Sequence, residues 1–374
     1  MAFNMVFKVF IRRVLVVVAT AVLVNTCCSK GVDASKIVVN TWPFTQATAA
    51  AWDVLEKGGT HVDAAVAGCS ECEALQCDGS VGFGGSPDES GETTLDAMVM
   101  DAETMNVGSV GALRNVRGAA RAARLVLDYT QETLLVGEQA SAFAVGLGME
   151  YETLETSSSL KIYENWRNNS CQPNYWTATK GVLLPDPSMS CGPYTLATYK
   201  DMSSSSSIMV NGRIPPTRPP ITLGNHDTIG MVVIASSGAI AAATSTNGAS
   251  HKIAGRVGDS PIAGSGAYAT KDGGCASTGD GDVMMRFLPC YQAVESMRLG
   301  STPCEAAVDA IARITTFYPD MSGAVIVVGS DGSHAGAASN PWREIFKYSV
   351  RSDDTDGVEV FGICDKETQT MASS

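Results

Sequence analysis

The sequence predicts an α/β protein in which antiparallel strands are flanked by helices. Helical segments cluster between blocks of hairpin-like strands instead of alternating with them one for one, which argues against a doubly wound parallel sheet. The segment TIGMVVIASSGAIAAATSTNG sets two runs of β-branched and small residues on either side of Ser-Ser-Gly, the pattern of a hairpin. Upstream, TTLDAMVMDAETMNVGSVGAL alternates short apolar runs with turn residues, as antiparallel strands do.

Along the chain, residues 37–40 form a first strand, and 49–57 and 62–75 read as helices ahead of the strands just quoted. Helices are predicted over 115–127 and 138–149. From 157 to 227 the periodicity fades, and 203–225, with its SSSSS and RIPPTRPPITLG, has neither a helical nor a strand period. A structureless run longer than about fifteen residues inside a compact domain is usually functional or disordered. The hairpin beginning at Thr228 restores order. An amphipathic helix over 281–299, another over 304–317, and strands in GAVIVVGSDG and over 346–350 complete the pattern, with no internal repeat.

A chain of 374 residues has ample length to bury a core, and a charged fraction of only 17% fits a compact protein. A formal charge of -13 with no basic stripe argues against nucleic acid as a partner. Residues 1–29 read as a signal peptide: Lys8, Arg12 and Arg13 precede VLVVVATAVLV. That apolar run is shorter than the about 20 residues needed to span a bilayer. An uncleaved segment would tether the protein; a cleaved one leaves no membrane association.

Entry into an oxidising compartment makes the 11 cysteines candidates for bridges. Cys72 and Cys77 flank a turn, and Cys171 and Cys191 bracket a Pro-rich loop. Cys69, Cys275, Cys290, Cys304 and Cys364 have no evident partners. Cys69, Cys72 and Cys77 lack the second pair or histidine cluster that a zinc site needs, so no metal is expected. Asn168 opens a glycosylation sequon, Asn168-Asn169-Ser170.

The long featureless loop runs straight into Asp227-Thr228 at a strand edge. Cutting that bond would give Thr228 a free α-amine beside its hydroxyl. A terminal amine has a pKa of about 7.7–8.0, so one residue would hold both nucleophile and base. The loop would then be the tail released by the cut.

HDTIGMVVI, TSTNG, GRVGDSPI, TGDGD and MRFLPCYQAVE, with NTWPF, QCDGSVGFGGSPDESGETTLDAMVMD and CQPNYW in the first half, resemble the glycosylasparaginase family of N-terminal-nucleophile hydrolases. The similarity covers nearly the whole chain after the signal. It implies a four-layer αββα sandwich, two antiparallel sheets between helix layers, made as one chain and self-cleaved into α (30–227) and β (228–374) subunits. It also implies an (αβ)2 heterotetramer in the secretory pathway, in a lysosome or vacuole. Thr228 matches the nucleophile, Thr246 the threonine that assists it, and Thr278 with Gly279 the oxyanion hole, Gly279 also touching substrate. Arg256 and Asp259 match the pair that grips the substrate α-carboxylate and α-amine. Trp42 matches the aromatic on the sugar side, with a core position as its alternative. His226 and Asp227 precede the cut.

The implied reaction is hydrolysis of the bond between GlcNAc and an asparagine side chain, through a β-aspartyl-threonine ester, with no cofactor. Three other readings stand beside it: a plant-type asparaginase or isoaspartyl peptidase, a threonine-dependent aspartyl endopeptidase, and a non-catalytic secreted protein on the same fold. GSVGFGGSPDE reads as a tight loop supporting the site, with Ser80 near the nucleophile, and His251 as a surface loop residue. The chain departs from the family pattern in having Val327 and Ser339 where cysteines are expected. The family's later bridges therefore cannot be given to Cys304 and Cys364, and a free thiol is expected.

Overall fold

The computed structural model describes residues 35–177, 182–197 and 228–364. The signal segment, His226 and Asp227 lie outside the described residues, as does the whole featureless loop of residues 203–225. In chain order the described elements begin with β1 (Ile37–Thr41), α1 (Thr45–Glu56), α2 (His61–Leu75), β2 (Leu95–Asp101) and β3 (Asn106–Leu113). They continue with α3 (Ala119–Tyr129), β4 (Leu134–Val136), α4 (Gly137–Gly146), α5 (Ser157–Asn168), β5 (Leu183–Leu184) and β6 (Thr195–Leu196). After the loop come β7 (Ile229–Ile234), β8 (Ile240–Thr246), β9 (Ala267–Thr270), β10 (Gly273–Gly279), α6 (Gly281–Met284), α7 (Pro289–Arg298) and α8 (Pro303–Thr315). The last are β11 (Gly323–Gly329), β12 (His334–Ala338), β13 (Tyr348–Ser352) and β14 (Glu359–Phe361).

The larger sheet has eight strands in the order β14-β13-β1-β7-β8-β2-β3-β4, antiparallel except for the β3–β4 pair. A four-stranded sheet runs β12-β11-β10-β9, and β5 pairs with β6 in a small ribbon. Three buried clusters separate four layers. Helices α1 to α4 cover the outer face of the larger sheet with Val38, Leu95, Val99, Met231 and Val233. Val39, Met98, Val232, Ile234 and Ile326 fill the space between the sheets. Val325 and Val327 turn the other way, onto α7 and α8. Alternate residues of one strand thus enter different cores, which is why MVVI and GAVIVV read as continuous apolar runs. This is the αββα sandwich of N-terminal-nucleophile hydrolases.

Several boundaries differ from the sequence reading. Helix α1 starts at Thr45, not at 49, and α3 starts at Ala119, not at 115. The helix expected over 281–299 is two helices, broken where Leu288 adopts φ 52° ahead of Pro289. Helix α5 was missed in the faded region. Its polar composition gives no apolar stripe, but Thr156 caps it by accepting from the Ser159 N–H. Asn168, its last residue, is exposed. Among the described cysteines, bridges join Cys72–Cys77, Cys171–Cys191, Cys275–Cys290 and Cys304–Cys364, leaving Cys69 as a buried thiol. The last pair corrects the doubt over Cys304 and Cys364: the two bond to each other, tying the start of α8 to the segment after β14.

Candidate active site

The strand registers bring four strand ends together. Ile229 of β7 lies opposite Ser245 of β8, so Thr228, one residue earlier, sits level with Thr246. Asn40 of β1 lies opposite Met231, which brings Thr41 and Trp42 beside the same end. The second sheet supplies Thr278 and Gly279 at the close of β10. By the two-residue alternation, Thr228, Thr246 and Thr278 all belong to the faces between the sheets.

Thr228 is fully buried. Its backbone N–H donates to Thr278 Oγ1 at 3.1 Å, and its carbonyl accepts from Thr41 Oγ1 at 2.7 Å. Thr41 Oγ1 also accepts from the Gly230 N–H at 2.8 Å, so one hydroxyl clamps the start of β7. The Thr228 hydroxyl itself has no hydrogen-bond partner among the described residues. Thr278 Oγ1 accepts a second bond from Trp42 Nε1 at 3.1 Å. With both acceptor positions occupied by N–H groups, the Thr278 hydroxyl hydrogen is left to be donated.

Gly279 has φ 130°, and a Cβ there would come within 2.5 Å of Gly323 Cα and the Ser322 carbonyl. Only glycine fits this close approach of β10 to β11. Trp42 is 3% exposed and packs edge-on to Trp342 and Phe346, with centroids 5.0 and 5.1 Å away. It is thus a core residue that reaches the site through its indole N–H. Thr246 Oγ1 donates to the Ser80 carbonyl at 3.4 Å and accepts from the Gly248 N–H at 3.0 Å. Ser80 therefore meets the site through its backbone.

Arg256 and Asp259 lie together in the loop after β8, Asp259 buried and Arg256 half-buried. Arg256 forks onto Asp282, Nε to Oδ1 at 3.3 Å and Nη2 to Oδ2 at 3.2 Å. Asp259 accepts from Ser277 Oγ at 3.0 Å. Burial pushes its carboxyl up to about 6, against the Ser277 hydrogen bond and the Arg256 charge, which pull it down. Gly281 keeps the space between the two clear, since a Cβ there would meet Asp259 Oδ1 at 2.5 Å and Arg256 Nη2 at 3.1 Å.

Sequence reasoning missed the groups that hold these residues. Thr41 and Asp282 sit inside the quoted NTWPF and TGDGD, where their types were visible but not their targets. Asp96 accepts from the Gly258 N–H at 3.0 Å across 162 residues of sequence, and nothing local announces it. Lys252 donates to the Asn247 carbonyl at 2.6 Å, and burial lowers it to about 8 while Asp96 pulls it back. His251 departs from the expected surface position: half-buried, it packs on Trp166 at 4.7 Å, and burial lowers it to about 4. The metal-capable group His61, Asp101 and Glu103 lies at the far end of β2 from the site, with His61 bonded to Asp101 at 2.9 Å.

A buried threonine hydroxyl, a second hydroxyl with a proton to donate, and an arginine–aspartate pair form a site suited to acyl transfer on an amino-acid amide. A family model described as asparaginase matches residues 13–355. An Arabidopsis thaliana protein named Probable isoaspartyl peptidase/L-asparaginase 3 is 50% identical over 93% of this chain and 94% of its own. A Mus musculus protein named N(4)-(beta-N-acetylglucosaminyl)-L-asparaginase is 50% identical over 86% of this chain and 88% of its own. A Rattus norvegicus protein of the same name is 49% identical over 83% of this chain and 86% of its own. The chain belongs to the Asparaginase_2 family of N-terminal-nucleophile hydrolases.

Proposed function

We propose that the protein is a self-processing N4-(β-N-acetylglucosaminyl)-L-asparaginase with Thr228 as its nucleophile. The observation that carries this reading is the buried Thr228 hydroxyl, unbonded among the described residues, at the mouth of a strand whose backbone is clamped on both sides. In maturation the hydroxyl attacks the Asp227 carbonyl, the acyl group shifts from N to O, and water cleaves the ester. Two subunits result, 30–227 and 228–374, after loss of a signal at 1–29. His226 helps present the bond that breaks.

In turnover the hydroxyl adds to the side-chain carbonyl of a glycosylated asparagine and passes its proton to the new α-amine. To act as base that amine must be unprotonated, and a terminal amine ordinarily titrates at about 7.7–8.0. The Thr278 hydroxyl and the Gly279 N–H stabilise the developing oxyanion, with Thr246 assisting the nucleophile. Arg256 takes the α-carboxylate and Asp259 the α-ammonium, while Trp42, packed in the core, reaches the site only through its indole N–H to Thr278. The glycosylamine leaves a β-aspartyl ester, and water releases aspartate. The four bridges fit a secretory-pathway protein. We assign it to a lysosome or vacuole, assembled as (αβ)2 and carrying a glycan on Asn168.

A second reading rests on the Arabidopsis relative, whose match spans 93% of this chain: an isoaspartyl peptidase or L-asparaginase using the same ester chemistry. The purified two-chain protein is to be assayed on GlcNAc-asparagine, L-asparagine and a β-aspartyl dipeptide. A kcat/KM highest for GlcNAc-asparagine by about tenfold or more supports the first reading, since a tenfold ratio is about 1.4 kcal/mol of transition-state preference. Preference for the dipeptide supports the second.

A further inference from the structure

Glu73, near the end of α2, is a buried carboxyl with no part in the chemistry above; it is 3% exposed. Its Oε1 accepts from Ser245 Oγ at 2.5 Å and from the Ala120 N–H in the first turn of α3 at 2.8 Å. Ser245 immediately precedes Thr246 and points to the opposite face of β8. The backbone of Glu73 works on the other flank. Gly82 is seated directly against it, where a Cβ would collide with the Glu73 carbonyl. The Gly82 carbonyl in turn accepts from Asn247 Nδ2 at 3.0 Å, and the Ser80 carbonyl from the Asn247 N–H at 2.8 Å. Thr246 is thus held from Ser245 on one side and Asn247 on the other, and both holds return to Glu73.

We propose that Glu73 is a positioning residue for the nucleophile centre, setting the height of Thr246 beside Thr228 through Ser245 and the Gly82 loop. This rests on the reading of Thr228 and Thr246 given under the proposed function. Glu73 lies in the helix layer, on the far side of the larger sheet from Thr228. A purely structural role would follow from its bond to Ala120, because α3 has no side-chain N-cap of its own. The two roles separate in kinetics. Arg256 and Asp259 are held by Asp282 and Ser277, not by Glu73, so a shift of Thr246 alters the chemical step and spares substrate affinity. A glutamine keeps an oxygen that accepts from both Ser245 and Ala120, and a leucine of similar size keeps neither.

The test compares wild type, Glu73→Gln and Glu73→Leu as purified full-length proteins on GlcNAc-asparagine. Glu73→Leu is expected to lower kcat about tenfold or more with KM within about twofold of wild type, a cost typical of a misplaced catalytic group. Glu73→Gln is expected to retain kcat within about threefold, since it preserves both acceptor bonds. Equal kcat in wild type and Glu73→Leu would overturn the proposal, as would a Glu73→Gln as impaired as Glu73→Leu or a loss shared equally by KM. Should Glu73→Leu fail to fold, Ser245→Ala removes the arm nearest Thr246 alone; it too must lower kcat and spare KM, and an unchanged kcat overturns the proposal. A wild type that folds and hydrolyses none of the amides in the panel would instead refute the underlying reading of Thr228.

Discussion

Leaving a buried hydroxyl without a hydrogen bond costs about 1–3 kcal/mol, so the Thr228 side chain is held at some expense by its neighbours. Thr41 and Thr278 take the carbonyl and N–H on either side of it and leave the hydroxyl unbonded among the described residues. Gly279 has no substitute at φ 130° against Gly323. Gly279→Ala should lower kcat by about 100-fold or more, the usual loss when an oxyanion donor is misplaced. The strained φ adds about 1–3 kcal/mol of destabilisation, read as a lower melting temperature. Asp259 makes a pH prediction. Burial raises its carboxyl to about 6 in the free protein, so below that pH it is neutral and cannot pair with an ammonium group. Inhibition by free L-aspartate, measured against pH, should therefore weaken as pH falls below about 6, because binding then requires a proton to leave Asp259. Asp259→Asn should bind about 100-fold more weakly and lose that dependence, as expected when one partner of a buried charge pair is removed.

At the scale of elements, the strands that carry the site were easier to read than the helices that cover it. MVVI in β7 and GAVIVV in β11 are buried on both faces, so their apolar runs needed no periodic analysis. The β7–β8 turn was legible from Ser-Ser-Gly. Helix α5 exposes most of its surface and carries few apolar residues, and the faded periodicity there reflects that exposure, not a lack of structure. The α6–α7 break was hidden because apolar residues continue through Leu288 while its backbone turns left-handed. Residues of the proposed site that sit in compact motifs, Arg256 and Asp259 among them, could be nominated from sequence; Asp96 and Glu73 could not, because their partners lie far away in sequence. The Cys304–Cys364 bridge was equally illegible, joining positions 60 residues apart. By the loop-entropy model a closure of that length stabilises by about 4 kcal/mol. Cys304→Ser should accordingly lower the melting temperature by several degrees while leaving KM for GlcNAc-asparagine unchanged.

At the scale of the whole molecule, the four layers place the proposed nucleophile immediately before a central strand, β7. The featureless loop of residues 203–225 is separated from Thr228 only by His226 and Asp227. A cut between Asp227 and Thr228 would leave the strand pairing of β7 with β1 and β8 intact, since it begins at Met231 on the β1 side and at Ile229 on the β8 side. The β chain would then stay folded on the α chain through the same eight-stranded sheet, whose order interleaves strands from both sides of the cut. The sheet would therefore tolerate a broken backbone at the one position where, in the proposed mechanism, a new amine serves catalysis. The most direct test is a denaturing intact-mass spectrum of the purified protein with N-terminal sequencing of its fragments, run beside Thr228→Ala. Two chains in the wild type, one beginning TIGMVV, and one uncut chain in Thr228→Ala are the predicted result. A wild type that stays a single chain on incubation, or a Thr228→Ala protein that still splits, would contradict the account.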